Sequence, residues 1–278
     1  MIDVHIHAVP PNLPGVGVLS PVLQRPVADV AAEIRRQMQT AGVEAVYSMG
    51  AWSVCERDPL GIETTLQIAQ LVPGLKAIGI ADPTKTDLAH FARVEAQLIS
   101  GTLVALKAYL GYLHYEPTHP NYRRYYELAT QYNLPVMFHT GDTYSARAKL
   151  KYAHPLGVDE VAVDHPDCRF VICHVGNPWM LDAAEVIYKN MNVWADLSGL
   201  LVGPDEMFAS EEGREMADEV AHTIQQAIRY SERPNRFLYG TDWPLVSMVS
   251  YRDFIATAVP AEYRELVFEE NAKFLFRI

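Results

Sequence analysis

The chain has few cysteines, a shortage of positive charge and no long apolar run. Cys55, Cys168 and Cys173 are odd in number and lack CxxC spacing, which speaks against a disulfide framework. Cys173 lies in an apolar stretch and reads as a small buried hydrophobe. Lysine and arginine number 23 against 34 aspartates and glutamates, a formal charge of -11, which argues against nucleic acid or an anionic membrane surface as partner. No apolar stretch approaches the roughly 18 residues of a membrane span, and no basic segment leading into an apolar one opens the chain. The first strand pattern begins almost at Met1, so a soluble, cytoplasmic protein without a targeting segment is expected. No GxGxxG loop follows a strand pattern, which disfavours a nucleotide-binding open sheet. Linkers, low-complexity tracts and close repeats are absent, so residues 1–278 read as one domain.

What is present is alternation. Strand patterns run over Ile2–His7, Val43–Met49, Leu75–Ile80, Leu103–Tyr109, Pro135–His139, Arg169–His174, Asn192–Leu197 and Phe237–Gly240. Helical patterns fall between them at Val27–Ala41 (ended by Gly42), Pro59–Leu71, Thr86–Ile99, Asn121–Tyr132, near Val158–Val163, Pro178–Lys189 and near Asp205–Tyr230, with terminal helices from about Tyr251. Eight strands each followed by a helix imply a parallel sheet, and at this length a single-domain α/β fold, a closed (β/α)8 barrel, is expected. The Pro- and Gly-rich stretch Ala8–Pro26 is too long for a simple connection and reads as a functional loop. Phe208–Arg214, in the longest helical run, reads as a lid or an interface.

Barrels of this kind carry their active sites at the C-terminal strand ends. Alternation puts His5 and His7 on one face of the first strand, with Asp3 a step deeper and Ile2, Val4 and Ile6 opposite. Lys107 ends the fourth strand, His139 the fifth, His174 the sixth and Asp242 the eighth. Imidazoles and a carboxylate gathered at one end of a barrel are what a divalent metal needs.

The pieces DVHIHA at 3–8, FHTGD at 138–142, CHVGNPW at 173–179, YGTDWP at 239–244 and ENAKFLF at 270–276 span the chain. With them the sequence resembles the amidohydrolase superfamily, and more closely the branch that includes aminocarboxymuconate-semialdehyde decarboxylase. The resemblance implies that His5, His7, His139 and Asp242 hold one divalent metal, most often zinc, with manganese, iron or cobalt as alternatives. It implies that His174 stands behind them, contacting water or substrate. Three nitrogens and an oxygen suit Zn²⁺ and leave a position open. Lys107 sits where two-metal members carry a carboxylated bridging lysine; its other reading is an ammonium that holds an anionic group or pairs with Asp242.

Around this set, Tyr109, Tyr112 and His114 after the fourth strand, and Trp52, Trp179 and Trp243, are candidate substrate walls. Arg147 and Lys149 are candidates for holding a carboxylate, with an exposed face as the plainer reading. Ser198 ends the seventh strand as a candidate hydrogen-bonding group, and Asp3 reads as an orienting residue. His90, His119, His154, His165 and His222 read as surface residues, and Asn271 as a tie for the last helix. The expected activity is hydrolysis of a small amide, ester or lactone by metal-activated water, with Asp242 and His174 catalytic. Non-oxidative decarboxylation of an aromatic or unsaturated acid is the alternative, since both use the same residues, and a non-catalytic metal-binding barrel is the third. Retention of histidine at position 5, where several decarboxylases of the branch have glutamate, leans towards hydrolysis. Barrels of this branch are often dimers, so a homodimer acting on a small molecule is expected.

Overall fold

The computed structural model describes residues 1–277. Its strands are β1 (Ile2–Ile6), β2 (Ala45–Met49), β3 (Leu75–Ile80), β4 (Leu103–Ala108), β5 (Pro135–Phe138), β6 (Arg169–Ile172), β7 (Val193–Asp196) and β8 (Phe237–Leu238). They pair in sequence order and in parallel, each with the next. Between and after them lie α1 (Val27–Ala41), α2 (Glu63–Ala69), α3 (Leu88–Ile99), α4 (Pro120–Gln131), α5 (Leu156–Asp164), α6 (Met180–Lys189), α7 (Asp205–Ala209), α8 (Glu211–Ser231), α9 (Met248–Ala258) and α10 (Asn271–Phe276). This is a nearly closed, single-domain (β/α)8 barrel. No described helix is long and apolar enough to cross a membrane.

The last seam closes through loops. β8 has two residues, and beyond it the Val4 amide donates to the Tyr239 carbonyl (3.0 Å), the His7 amide to Trp243 (2.7 Å) and the Asp242 amide to His5 (2.8 Å). Residues from all eight strands, among them Val4, Met49, Ile78, Ala105, Met137, Val171, Trp194 and Leu238, pack into one interior cluster. A larger cluster lies between strands and helices and includes Ile6, Val46 and Phe138.

The alternation expected for β1 fails in one respect. Ile2 and Val4 join the interior, whereas Ile6 joins the helix-facing layer. Asp3 pairs with Val46 and Ile6 with Ser48, so β1 spends one more residue than β2 over this interval. Such a bulge changes which face follows, and it lets Val4 and His5 both serve the interior. Asp3 turns to the segment that follows β8, accepting from the Thr241 amide (3.0 Å) and hydroxyl (2.7 Å), and also accepts from the His5 amide of its own strand (3.1 Å). It orients two chain segments, and burial pushes its carboxyl up to about 7 against those donors.

Other boundaries moved for local reasons. α2 begins at Glu63 because the Asp58 carboxylate accepts the Ile62 and Glu63 amides (2.9 Å each) and holds the preceding residues in a turn. The run expected from Asp205 to Tyr230 divides into α7 and α8 at Ser210, whose hydroxyl caps the Gly213 amide (3.0 Å). Gly42 ends α1 in the left-handed conformation (φ 70°), as a glycine permits. Asn271 ties α10 to the barrel by donating to the Phe237 (2.8 Å) and Pro234 (3.0 Å) carbonyls.

His90 is not a surface residue. α3 turns it inward, 2% exposed, to meet the Tyr125 hydroxyl at 2.8 Å, while Leu88 on the same helix is 88% exposed. Burial lowers the His90 pKa from 6.5, with Asp87 and Asp82 opposing. The unfolded chain thus binds a proton more readily than the folded one, so His90's contribution is intact above pH 6.5 and lost as pH falls below it. His90→Gln is expected to flatten the fall of Tm as pH drops below 6.5. An unchanged profile in a thermal-melt series would assign that fall to other groups.

Candidate functional site

The C-terminal strand ends surround a cavity of about 70 Å³ lined by His5, His7, Lys107, His139, His174 and Asp242. Tyr109, Tyr112 and Tyr144 wall it, and Pro11, Leu13, Val16 and Leu19 from the loop after β1 roof it. Ser145 pins that roof by donating to the Pro14 carbonyl (2.7 Å).

His5, His7 and Asp242 form one donor group. Asp242 Oδ1 lies 3.3 Å from His7 Nε2 and 3.6 Å from His5 Nε2, and is buried without a hydrogen-bond partner, as is His7 Nδ1. Ligands bound tetrahedrally at zinc distances stand about 3.3–3.4 Å apart, close to both Asp242 separations, and all three donor atoms lie within 4.8 Å of one another, as a shared small divalent ion requires. His139 faces the same cavity, but its Nε2 donates to the Asp142 carbonyl at 2.9 Å, which leaves it outside the tight group. Joining an ion through that nitrogen requires giving up this bond.

Asp196, at the end of β7, organises the two inner histidines, and the sequence reading passed it over. Its Oδ2 accepts from His5 Nδ1 at 2.9 Å, and its Oδ1 accepts from the His174 amide (3.0 Å), the Ser198 amide (3.1 Å) and the Ser198 hydroxyl. A carboxylate only accepts, so Nδ1 of His5 carries the proton and Nε2 keeps its lone pair. Burial would push Asp196 up; His5, His174 and Lys107 outweigh it and hold the group well below the usual carboxylate range. Burial, then Lys107, lowers His5 to about 4, so it is a neutral imidazole at neutral pH. The sequence carries a signal for Asp196, which closes β7 as Asp242 follows β8, but the polar Ser198 two residues on masks it.

His174 and Asp242 are not on strands. β6 ends at Ile172, and His174 (φ 57°), Val175 (φ 39°) and Asp242 (φ 65°) occupy left-handed backbone that side chains rarely adopt. For β-branched Val175 this is real strain, and it lies beside the site. The His174 Nδ1–H donates to the Ser198 carbonyl (3.0 Å), leaving Nε2 as the free nitrogen. For Asp242, burial is opposed by the neighbouring rings of His7, His5 and His174, which together hold it below the usual carboxylate range. Gly199 is needed between them. A Cβ there would meet Asp242 Oδ2 at 2.8 Å and His174 Nδ1 at 3.1 Å, at a φ of +63°.

Lys107 is fully buried on β4 and does not pair with Asp242. Its Nζ donates to Cys173 Sγ at 2.9 Å and lies 5.6 Å from the centre of the Tyr109 ring. Cys173 is accordingly more than a hydrophobe. The remaining expected pocket residues stand elsewhere. His114 and Arg147 are exposed and bonded to each other (His114 Nε2 to the Arg147 carbonyl, 2.9 Å), and Lys149 is exposed. Trp52, Trp179 and Trp243 do not line the cavity; Trp179 packs on His154, and Trp243 belongs to the strand–helix core. Tyr144, Asp142, Asn177 and the apolar roof took their places, and nothing periodic in their loops marked them.

The amidohydrolase family model matches residues 2–278. The chain belongs to the amidohydrolase family. Its solved relatives are distant and share the barrel over nearly their whole lengths. One is a probable 2-pyrone-4,6-dicarboxylic acid hydrolase from Acinetobacter baumannii with citric acid bound, at 15% identity, covering 100% of this chain and 99% of that one, with a TM-score of 0.70. Another is 2,6-dihydroxybenzoate decarboxylase from Rhizobium, at 16% identity, 99% and 98% coverage and a TM-score of 0.65. A third is the D314N mutant of 5-carboxyvanillate decarboxylase from Novosphingobium aromaticivorans with bound manganese, at 12% identity, 100% and 97% coverage and a TM-score of 0.69. A comparison with curated proteins finds no match. Amidohydrolases of this family include hydrolases and decarboxylases, and they bind a divalent metal.

Proposed function

We propose that this amidohydrolase is a metal-dependent hydrolase of a small carbonyl compound: an amide, an ester or a lactone. The observation that carries this choice is the lining of the cavity. Among the described residues it includes no arginine, and Lys107 is its one cationic side chain. A decarboxylase that fixes its substrate's carboxylate with an arginine would find none in this lining, since Arg147, the arginine offered by the sequence, faces solvent.

A divalent ion held by His5, His7 and Asp242, with His139 beside them, would supply Lewis acidity and an activated water, and zinc suits this donor set. Asp242, held ionised, accepts the proton of the attacking water. Nε2 of His174, left with its lone pair because Nδ1 donates to the Ser198 carbonyl, accepts a hydrogen bond or a proton from water or from an N–H or O–H group of the substrate. Asp196 keeps Nε2 of His5 unprotonated, and the apolar roof limits the water that enters.

Decarboxylation of a planar acid remains the second reading, because three tyrosines and a deep lysine suit an aromatic anion. Protein reconstituted with Zn²⁺ or Mn²⁺ should hydrolyse at least one member of a panel of lactones, amides and esters. Carbon dioxide release from a hydroxybenzoate, without carbonyl hydrolysis, would overturn the hydrolase reading.

A further inference from the structure

We propose that Lys107 and Cys173 form a peroxide-driven covalent cross-link, a nitrogen–sulfur bond beneath the site cavity. Lys107 comes from β4 and Cys173 follows β6, and both side chains are fully buried. Nζ stands 2.9 Å from Sγ, as close as an N–H···O bond although sulfur is the larger atom. Reacting atoms held within about 3–3.5 Å are already at attack distance. Among the described residues Lys107 has no carboxylate partner; Sγ is its one hydrogen-bond acceptor and the Tyr109 ring its other contact. The buried amine is thus in contact with a thiol and with no carboxylate. The other cysteines differ: Cys55 is exposed, and Cys168 is buried with its sulfur against the Arg169 carbonyl.

The chemistry balances with hydrogen peroxide as oxidant. Peroxide transfers one oxygen to Sγ, its O–O bond breaks, and water leaves a sulfenic acid. The Lys107 ammonium first gives a proton to water in the cavity; the Nζ lone pair then attacks sulfur, the N–S bond forms, the S–O bond breaks, and hydroxide departs as water with a second proton from nitrogen. One thiol, one ammonium and one peroxide give the linked pair, two waters and a proton released to solvent; sulfur is oxidised and peroxide reduced. Lys107 lines the cavity and Cys173 lies directly behind its Nζ, so the mouth that admits substrate is the proposed route for peroxide. The link ties down the cavity's one cationic side chain, and attack of an external thiol on sulfur releases it.

The test is peptide mapping of the full chain after exposure to hydrogen peroxide, with and without later dithiothreitol. The expected product is a peptide pair joined at Lys107 and Cys173, about 2 Da lighter than the two free peptides together, separated again by the reductant. Cys55 and Cys168 serve as internal references within the same molecule. Recovery of Cys173 as a dimedone-trappable sulfenic acid or as a sulfinic acid, unlinked, would overturn the proposal. So would an unmodified Cys173 under conditions that oxidise Cys55. The readout is covalent, so it stands or falls independently of the reaction catalysed.

Discussion

Asp242→Asn is expected to lower turnover by about 10²–10⁴-fold, the range for loss of a positioned proton acceptor. The substitution keeps the shape and removes the charge. Asp242 Oδ1 faces two imidazole nitrogens at 3.3 and 3.6 Å, and the group is held ionised against its burial. An amide cannot take the proton of an attacking water, and its nitrogen would turn a donor towards the place of a cation. Steady-state kinetics on a hydrolysed panel substrate, with metal content measured on the same samples, tests both consequences. Turnover within tenfold of wild type at equal metal content would remove Asp242 from the role of base.

Asp196→Asn is expected to weaken metal binding by about 10–100-fold, the usual cost of losing the partner that orients a histidine ligand. The effect works through a tautomer. The carboxylate forces the proton onto His5 Nδ1; an amide nitrogen can donate to Nδ1 instead, which moves the proton to Nε2 and occupies the lone pair that faces Asp242. The same change disturbs the turn that carries His174, whose amide and Ser198 both donate to Oδ1. Competition with a chelator of known affinity measures the loss. Unchanged affinity would make Asp196 a packing residue only.

The barrel was legible in the sequence because each βα unit leaves a local trace. An apolar run of strand length is followed by a helical stripe, and Gly42 marks a helix end where a left-handed residue is required. The site was legible for a related reason: chemistry on this fold sits where apolar strands stop, and His5, His7, Lys107, His139, His174 and Asp242 all occur there. What failed to show depends on contacts between distant segments. The bulge in β1 is defined only against β2, so strict alternation placed Val4 on the wrong face. His90 is buried because Tyr125 of α4 waits for its ring, a partner 35 residues away. The roof formed by Leu13, Val16 and Leu19 belongs to a segment without period, whose course is set by Ser145 from another loop. The tryptophans were plausible pocket walls by composition and order, but packing claimed them first.

The short β8 has a thermodynamic consequence. Two of the three backbone hydrogen bonds that close the barrel past it involve the residues of the donor group: His7 to Trp243, and Asp242 to His5. An ion gripping those side chains also holds the two edges of the sheet together, acting as a clasp at the weakest join of the cylinder. Any species that binds the folded chain and not the unfolded one adds stability in proportion to the logarithm of its free concentration. With His5, His7 and Asp242 holding an ion as proposed, the melting temperature of this barrel is expected to rise with its metal supply.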